Sequence, residues 1–433
     1  MRVYRVALVV LLSGLASAQA NNDEALSGRV DEVVLAQMRE QKIPGVSLAV
    51  MRDGKIIKAA GYGLANIELN VPVTPRSVFH TESVGKTFTA VGVLILVEEG
   101  KVGLDNKITK YIPESPAAWR DVTVRQLLTH TSGIPDYVGE FDGKSLVDLQ
   151  KNYSEDEVIQ IIARQPLDFQ PGEKRVYSNS GYVILGALIR HITGKNWADF
   201  LQERIFGPLG MTSTRVISEA DIIPNRTSGY HLVNGQWKNT DWVAPSLNTL
   251  ADGTLYTNVL DMAKWDEALS TEKILKRTTL DQMWIPITLN SGASFPQGLC
   301  FRIDNVNGHR LAWKDGEFQG YTTIMSRYLD DHLSIVVLTN LGENATIPLH
   351  IAEQVAAIYI PSLRDSKVQT SVSDASKSTA SVPRTQPLSP QQAEVWKGEE
   401  NLQTYEQQKD LKRYLSIWDE HFVGWPDYDQ RPA

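Results

Sequence analysis

The segment H-T-E-S-V-G-K-T-F-T-A at positions 80–90 contains residues suited to two unrelated kinds of chemistry. Its G-K-T is also the end of the phosphate-binding motif G-x-x-x-x-G-K-[ST], in which backbone N–H groups bind phosphates. That motif would place its first glycine at position 80, which is His80. We therefore exclude nucleotide binding and read Ser83 and Lys86 as an S-x-x-K pair, a serine nucleophile with a neighbouring amine.

An S-x-x-K pair is a weak signal when it stands alone. A second copy occurs at 270–273. The copy at Ser83 opens a long apolar segment that predicts a helix ending near Gly100. Residues three apart lie on one face of a helix, so the Lys86 amine can reach the Ser83 hydroxyl. A serine at a helix N-terminus can equally be a capping residue, and this segment does not decide between the two roles.

Two further patterns contain residue types that could complete such a site. Y-x-N occurs at 177–179, just before an apolar segment that predicts a helix, and Lys314-Asp315-Gly316 lies on a predicted strand. Each has a competitor, Y-x-N at 256–258 and K-x-G at 101–103. The competing Tyr256 is also explained as a packing residue near a loop.

The order of these patterns resembles that of the serine β-lactamase and penicillin-binding-protein superfamily. Its class C β-lactamase-related hydrolases, which include esterases and D-amino-acid peptidases, are the most similar branch. Three further stretches resemble the family: LLTHTSGIPDY at 127–137, PGEKRVYSNSGY at 171–182 and ADGTLYTNVLDMAKW at 251–265. The resemblance covers about 28–360 and favours 177–179 over 256–258.

The resemblance implies a role for each matching residue. Ser83 would be the nucleophile, and Lys86 and Tyr177 would share the acid and base work. Lysine is normally protonated, so burial or a second cation such as Lys314 would have to favour its neutral form. Tyr177 could instead act as a tyrosinate stabilised by the two lysines. The sequence leaves both bases open.

The remaining implied roles concern the substrate. Asn179, Lys314, Asp315 and Gly316 would bind or orient it, and the backbone N–H groups of Ser83 and Glu317 would form the oxyanion hole. The substrate would acylate Ser83, and water would then hydrolyse this acyl-enzyme.

Asp315 and His130 differ from the other residues in what we expect of them. Position 315 is Asp where the family usually has Thr or Ser, and an acid there would repel a substrate carboxylate. We therefore expect neutral esters or substrates with a free amine, unless Asp315 pairs with a local cation and faces away. His130 in LLTHTSG is expected to order its loop rather than to act as a base.

The pattern of elements predicts an α/β protein of the α+β type. Residues 26–42 predict an amphipathic helix, and Asp53-Gly54 joins two apolar runs as in a β-hairpin. A strand meander follows at 298–340, with turns at 305–308 and 330–331, and then a helix at about 347–358. We expect one antiparallel sheet built from both ends of the domain, flanked by helices, with a mostly helical region at about 80–290 inserted.

The two ends of the chain have their own compositions. Residues 1–18 have a basic start, an apolar stretch and Ala16-Ser17-Ala18, which predict a signal peptide cleaved there or after Ala20. The protein is therefore expected to be secreted or periplasmic. The hydrolase domain is placed at 22–365, a flexible Ser/Thr/Pro-rich linker at 366–390 and a short helical tail at 391–433. The tail resembles the opening helices of the SnoaL-like, or NTF2-like, family, and we expect it to be a truncated remnant or a docking element.

Composition narrows the partners. The formal net charge is −8 without a dominant basic segment, so we expect no nucleic-acid partner. We also expect no metal site, no cofactor and no stable membrane insertion, because metal-ligand spacings and a long apolar segment are missing from the sequence. Cys300 is the only cysteine, which rules out an intramolecular disulfide. The expected partner is a small-molecule or peptide substrate, and the sequence does not give the oligomeric state.

Three functions follow from these observations. The first is an exported serine hydrolase that cleaves an ester or amide, of the carboxylesterase or D-amino-acid peptidase type. The second is a true β-lactamase or D-Ala-D-Ala carboxypeptidase that uses the same residues. The third is a non-catalytic binding protein with this fold, which the complete set of three motifs disfavours.

Overall fold

The computed structural model describes residues 25–139, 145–253, 255–342 and 347–364. The predicted signal peptide, linker and C-terminal tail lie outside these residues, so their boundaries stay predictions. No helix within the described ranges is long and apolar enough to cross a membrane.

Fourteen strands are found in the described part of the chain. In chain order they are β1 (Gly45–Arg52), β2 (Lys55–Asn66), β3 (Val71–Pro72), β4 (Phe79–His80), β5 (Arg215–Val216), β6 (Tyr230–Val233), β7 (Gln236–Asn239), β8 (Leu255–Thr257), β9 (Ile287–Thr288), β10 (Ser294–Phe295), β11 (Arg302–Val306), β12 (His309–Phe318), β13 (Tyr321–Tyr328) and β14 (Leu333–Thr339). The predicted hairpin at Asp53-Gly54 and the predicted turns of the meander lie between these strands as expected.

Seven of the strands form the main antiparallel sheet, in the spatial order β11-β12-β13-β14-β1-β2-β3. The first strand of the domain lies beside the last one, with Val46 opposite Thr339 and Arg52 opposite Leu333. Both ends of the domain therefore build one sheet, which confirms the predicted fold class.

The helices lie on both faces of this sheet. They are α1 (25–41), α2 (Lys86–Glu98), α3 (Val124–Leu128), α4 (Glu155–Ala163), α5 (Asn179–Thr193), α6 (Trp197–Leu201), α7 (Gly207–Leu209), α8 (Val259–Ser270), α9 (Arg277–Gln282) and α10 (Pro348–Tyr359). Short 3-10 turns cover Glu82–Gly85, Ile108–Lys110, Ala117–Trp119, Pro245–Thr249 and Pro361–Leu363, and a π turn covers Gln202–Phe206.

Alternation along β1 explains why the sheet has a core on each face. Successive side chains of a strand point to opposite faces. Val46, Leu48 and Val50 join a core with α1 and α10, whereas Ala49 and Met51 join the core of the helical region. Because both faces are covered, β1 reads as a nearly continuous apolar run.

The middle of the chain is less helical than we expected. From just before α2 to α9 it also contains β4, β5 and β8, which form a three-stranded sheet, and the β6–β7 hairpin. These strands have two to four residues, which is too short for alternation to reveal them in a sequence.

Candidate active site

The predicted nucleophile lies where the chain enters the apolar helix α2. Ser83 is inside the 3-10 turn Glu82–Gly85, and the α-helix itself begins at Lys86. This corrects the prediction that Ser83 opens the α-helix. The turn has Thr81 at its N-cap position, so Ser83 does not cap the helix either. Its half-buried hydroxyl is thereby left to contact other side chains.

Lys86 is buried directly behind Ser83. Only 1% of its surface is exposed. Its Nζ donates to Ser83 Oγ at 2.9 Å, to Asn179 Oδ1 at 2.7 Å and to the backbone oxygen of Asp252. The ammonium is thus surrounded by oxygen acceptors, which favour its charged form.

Tyr177 reaches the nucleophile from the other side. It precedes α5, and its hydroxyl donates to Ser83 Oγ at 2.7 Å. The ring faces three cations: Lys314 Nζ at 5.1 Å, Lys86 Nζ at 5.2 Å and the Arg175 guanidinium carbon at 5.6 Å from its centroid. Such a concentration of positive charge stabilises negative charge on the phenol oxygen.

His130 supports Tyr177 from behind. The two rings stack with centroids 4.3 Å apart, and the Ser178 backbone N–H donates to His130 Nδ1 at 3.3 Å. Burial holds the pKa of His130 well below its ordinary value, and three nearby cations act in the same direction. A neutral imidazole that accepts this bond fits the ordering role expected for His130.

Asn179 is the first residue of α5 and connects the lysine to a carboxylate that the sequence analysis missed. Its backbone N–H donates to Asp136 Oδ1 at 2.6 Å, and its Nδ2 lies 3.4 Å from Asp136 Oδ2. This arrangement leaves Asn179 Oδ1 facing Lys86. The carboxylate therefore fixes which way the amide points.

A second missed carboxylate lies beside the same lysine. Asp252 Oδ2 accepts from the Tyr137 hydroxyl at 2.8 Å. Burial raises the pKa of Asp252, whereas the charge of Lys86 opposes that shift. Asp136 and Asp252 belong to the stretches 127–137 and 251–265 that resemble the family. The sequence therefore indicates these positions but not the roles of the two residues.

The K-x-G segment lies on β12, which packs against the nucleophile turn. Lys314 is buried, and its Nζ donates to the backbone oxygen of Asp315 at 2.9 Å. A Cβ added to Gly316 would lie 2.5 Å from the Ser83 nitrogen and 2.8 Å from the Thr81 oxygen, so only glycine fits there. The two segments predicted to supply the oxyanion N–H groups, at Ser83 and Glu317, are thus adjacent.

Asp315 points to the other face of β12 and is largely exposed, with 54% of its side-chain surface accessible. Its Oδ1 lies 3.4 Å from Lys314 Nζ. Asp315 therefore forms a long ion pair with Lys314, which is the alternative that we expected for it. An exposed carboxylate one residue from Gly316 still places negative charge beside the site.

Comparison with known proteins now adds to this geometry. The family model described as β-lactamase matches residues 30–359. The chain belongs to the β-lactamase family. Penicillin-binding protein 4* of Bacillus subtilis is 29% identical over 306 residues, which are 67% of each chain. D-aminopeptidase of Gluconobacter oxydans is 25% identical over 327 residues, 73% of this chain and 59% of that protein. The chain thus spans about three fifths to two thirds of these relatives.

Solved structures show the same membership. D-amino acid amidase from Ochrobactrum anthropi SV3, complexed with L-phenylalanine amide, has a TM-score of 0.67 and 27% identity, covering 79% of this chain and 99% of that one. The octameric penicillin-binding protein homologue from Pyrococcus abyssi has the same TM-score and identity, with 77% of each chain covered. The predicted superfamily and enzyme class, serine hydrolase, are confirmed.

The competing motifs occupy other places in this β-lactamase-family fold. Ser270 donates to the Asp266 backbone oxygen at the end of α8, and Lys273 pairs with Glu267. Tyr256 is buried, and the side chain of Asn258 caps α8. Lys101, at the end of α2, pairs with Glu99 at the surface. These contacts account for each competitor as a structural feature.

Within the described part of the chain, no group of three or more His, Cys, Asp or Glu side chains could hold a metal ion.

Proposed function

We propose that the protein hydrolyses an ester or amide through an acyl-enzyme on Ser83. One observation carries the proposal: the Ser83 hydroxyl oxygen lies 2.9 Å from Lys86 Nζ and 2.7 Å from the Tyr177 hydroxyl. A serine hydroxyl becomes an effective nucleophile when a neighbouring group accepts its proton. This serine has two such neighbours, one on each side.

The surroundings of the two candidates favour Tyr177 as the base. Two oxygen acceptors besides Ser83 bind the Lys86 amine, which supports an ammonium. Three cations face the Tyr177 ring, which supports a phenolate. In our proposal Tyr177 takes the proton from Ser83, and Lys86 remains a cation that stabilises the charge left behind.

The reaction then proceeds in two halves. With Tyr177 ionised as a phenolate, Ser83 Oγ attacks the substrate carbonyl carbon as its proton moves to the phenolate oxygen, and the oxyanion is bound by backbone N–H groups at Ser83 and Glu317. Tyr177 returns the proton to the leaving alcohol or amine as the tetrahedral centre collapses. A water molecule, deprotonated by Tyr177, attacks the acyl group, and the acid is released with Ser83 reprotonated.

Asp315 shapes the choice of substrate in this proposal. A substrate carboxylate at this end of the site would meet its negative charge, whereas an amine would be attracted. Because Asp315 is largely exposed, solvent screens the effect to about 1 kcal/mol. The names of two similar proteins, D-aminopeptidase and D-amino acid amidase, also fit substrates with a free amine.

The test compares three substrates in wild type and in Ser83→Ala. They are a short-chain p-nitrophenyl ester, a D-alanine p-nitroanilide with a free amine, and a chromogenic cephalosporin that carries a carboxylate. We expect ester and anilide turnover that Ser83→Ala abolishes, and slow turnover of the cephalosporin. Ser270→Ala, from the competing S-x-x-K, is the matched control and should keep wild-type rates. Unchanged rates in Ser83→Ala would refute the proposal.

The second candidate function is a β-lactamase or D-Ala-D-Ala carboxypeptidase, favoured by the likeness to penicillin-binding protein 4*. It predicts that the cephalosporin is the best substrate already in wild type. Our proposal instead predicts that Asp315→Thr raises kcat/KM for the cephalosporin, relative to the ester, by about fivefold to tenfold. A ratio that does not change would show that Asp315 has no part in substrate choice.

We also propose that the protein is exported. Residues 1–18 combine a basic start, an apolar stretch and a small-x-small cleavage pattern. N-terminal sequencing of protein recovered from the periplasm or medium should begin at Gln19 or Asn21. Recovery of the chain in the cytoplasm with its first residues intact would contradict this proposal.

A further inference from the structure

The turn that presents the nucleophile contains a buried carboxyl group immediately before it. Glu82 is 2% exposed. Its backbone φ is +49°, in the left-handed region that disfavours residues with a Cβ. A long side chain that can ionise is an unexpected choice here, because glycine would adopt this conformation without steric cost.

Among the residues that the structure describes, the Glu82 side chain has one hydrogen-bond partner, His80, and other rings pack against that partner. Its Oε1 lies 3.1 Å from His80 Nδ1. The His80 ring stacks on Tyr321 with centroids 4.2 Å apart and meets the edge of Tyr256 at 5.1 Å. Glu82 Oε2 has no hydrogen-bond partner among the described residues. The hydrogen bond to His80 therefore holds this carboxyl group in place.

Two glycines pack the same turn so closely that its backbone has little room to move. A Cβ on Gly316 would lie 2.5 Å from the Ser83 nitrogen and 2.9 Å from Glu82 Cβ. A Cβ on Gly253 would lie 2.6 Å from the Glu82 backbone oxygen. Rotation of the Glu82–Ser83 peptide would therefore shift the Ser83 N–H and hydroxyl relative to β12.

We propose that Glu82 is a positioning residue, whose bond to His80 selects the left-handed turn and so aims Ser83 at the substrate. The inference rests on the proposed role of Ser83 as nucleophile. According to this inference, the Glu82–His80 hydrogen bond selects the left-handed conformation of the turn, and the backbone alone does not. Glu82 and His80 touch no reacting atom in this proposal; they act through the orientation of Ser83.

Four variants separate this role from a merely structural one. Glu82→Gln keeps an oxygen that can accept from His80 and should keep a kcat close to wild type. Glu82→Ala and His80→Phe each remove the bond, and kcat for the p-nitrophenyl ester should fall about 10- to 100-fold with little change in KM. Glu82→Gly relieves the backbone, so its melting temperature should equal or exceed that of wild type, yet its kcat should fall as in Glu82→Ala.

A combined variant and two controls complete the experiment. Glu82→Ala with His80→Phe should cost no more than either change alone, because both remove the same bond. Glu353→Gln, at a half-buried carboxyl on α10, controls for the loss of an acid away from the site and should keep wild-type kcat. Ser83→Ala is measured alongside, and circular dichroism checks that each variant folds.

The outcomes distinguish the two proposals. Turnover that persists in Ser83→Ala overturns both the nucleophile and its positioning residue. Turnover lost in Ser83→Ala, with wild-type kcat in Glu82→Gly, leaves the nucleophile in place and overturns the role of Glu82. A fall in kcat for Glu82→Gln as large as that for Glu82→Ala would also overturn it, because the His80 bond would not be the cause.

Discussion

At the scale of single residues, the site separates its charges around one hydroxyl group. Oxygen acceptors surround Lys86, and cations surround the Tyr177 ring. The two side chains meet at Ser83 Oγ. In our proposal this separation gives each of them a distinct task, the lysine as a fixed positive charge and the tyrosine as the carrier of the proton.

Tyr177→Phe tests that division of labour. The variant keeps the ring stacked on His130 but removes the hydroxyl, so kcat should fall about 10²- to 10⁴-fold while KM changes little. Tyr256→Phe, from the competing Y-x-N, is the matched control, because its hydroxyl contacts Arg226 at 3.4 Å instead of the site. Steady-state kinetics with the p-nitrophenyl ester measure both. Wild-type kcat in Tyr177→Phe would assign the base to Lys86.

At the scale of elements, the sequence predicts what short-range patterns encode. The 3.6-residue period of 26–42 and the Asp53-Gly54 turn each involve neighbours in the chain, and the structure contains both elements. The S-x-x-K spacing works in the same way, because one helical turn brings Ser83 and Lys86 together. A correct spacing was sufficient although the first turn proved to be 3-10 rather than α-helical.

The contacts that the sequence analysis missed join distant parts of the chain. Asn179 and Asp136 are 43 residues apart, and Lys86 and Asp252 are 166 apart. Their meeting depends on how α2, α5 and the loop before β8 pack, which no local pattern specifies. The Glu82–His80 bond is local, but the sequence does not indicate its importance. That importance depends on the left-handed backbone conformation of Glu82, which is seen only in the structure.

Gly316→Ala tests the packing of β12 against the nucleophile turn. The added methyl group would meet backbone atoms of Ser83 and Thr81, so the strand or the turn must shift. We expect a loss of about 1–3 kcal/mol in unfolding free energy and a fall in kcat of about 100-fold. Gly28→Ala is the control, since a Cβ there meets no atom within 4 Å. Comparable effects in both variants would refute the proposed contact.

At the scale of the whole molecule, the site lies between the central sheet and the helical region, which are built from different parts of the chain. Lys314 and Gly316 come from the sheet, Ser83 and Lys86 from the start of α2, and Tyr177 and Asn179 from the start of α5. Residues more than 200 positions apart thus converge on one hydroxyl. None of these six residues comes from α1 or α10, which cover the opposite face of the sheet.

That face contains a carboxyl group whose titration should be visible in the stability of the protein. Burial raises the pKa of Glu353 from its ordinary value of 4.5 to about 7, and its Oε1 has no hydrogen-bond partner among the described residues. A raised pKa in the folded state means that folding favours the protonated acid. Its contribution is fully present below pH 4.5 and is lost as the pH rises through about 7.

Glu353→Gln should remove this loss, because the amide stays neutral at every pH. At pH 8 the free energy of unfolding of the variant should exceed that of wild type by about 1–2 kcal/mol, after allowance for the partial exposure of Glu353. At pH 4.5 the two free energies should agree. Thermal melts at both pH values measure the difference. Glu203→Gln is the control, because Lys195 lowers the pKa of Glu203 and its removal should bring no gain at pH 8. A gain for Glu353→Gln that is equal at both pH values would show that the group does not titrate in this range.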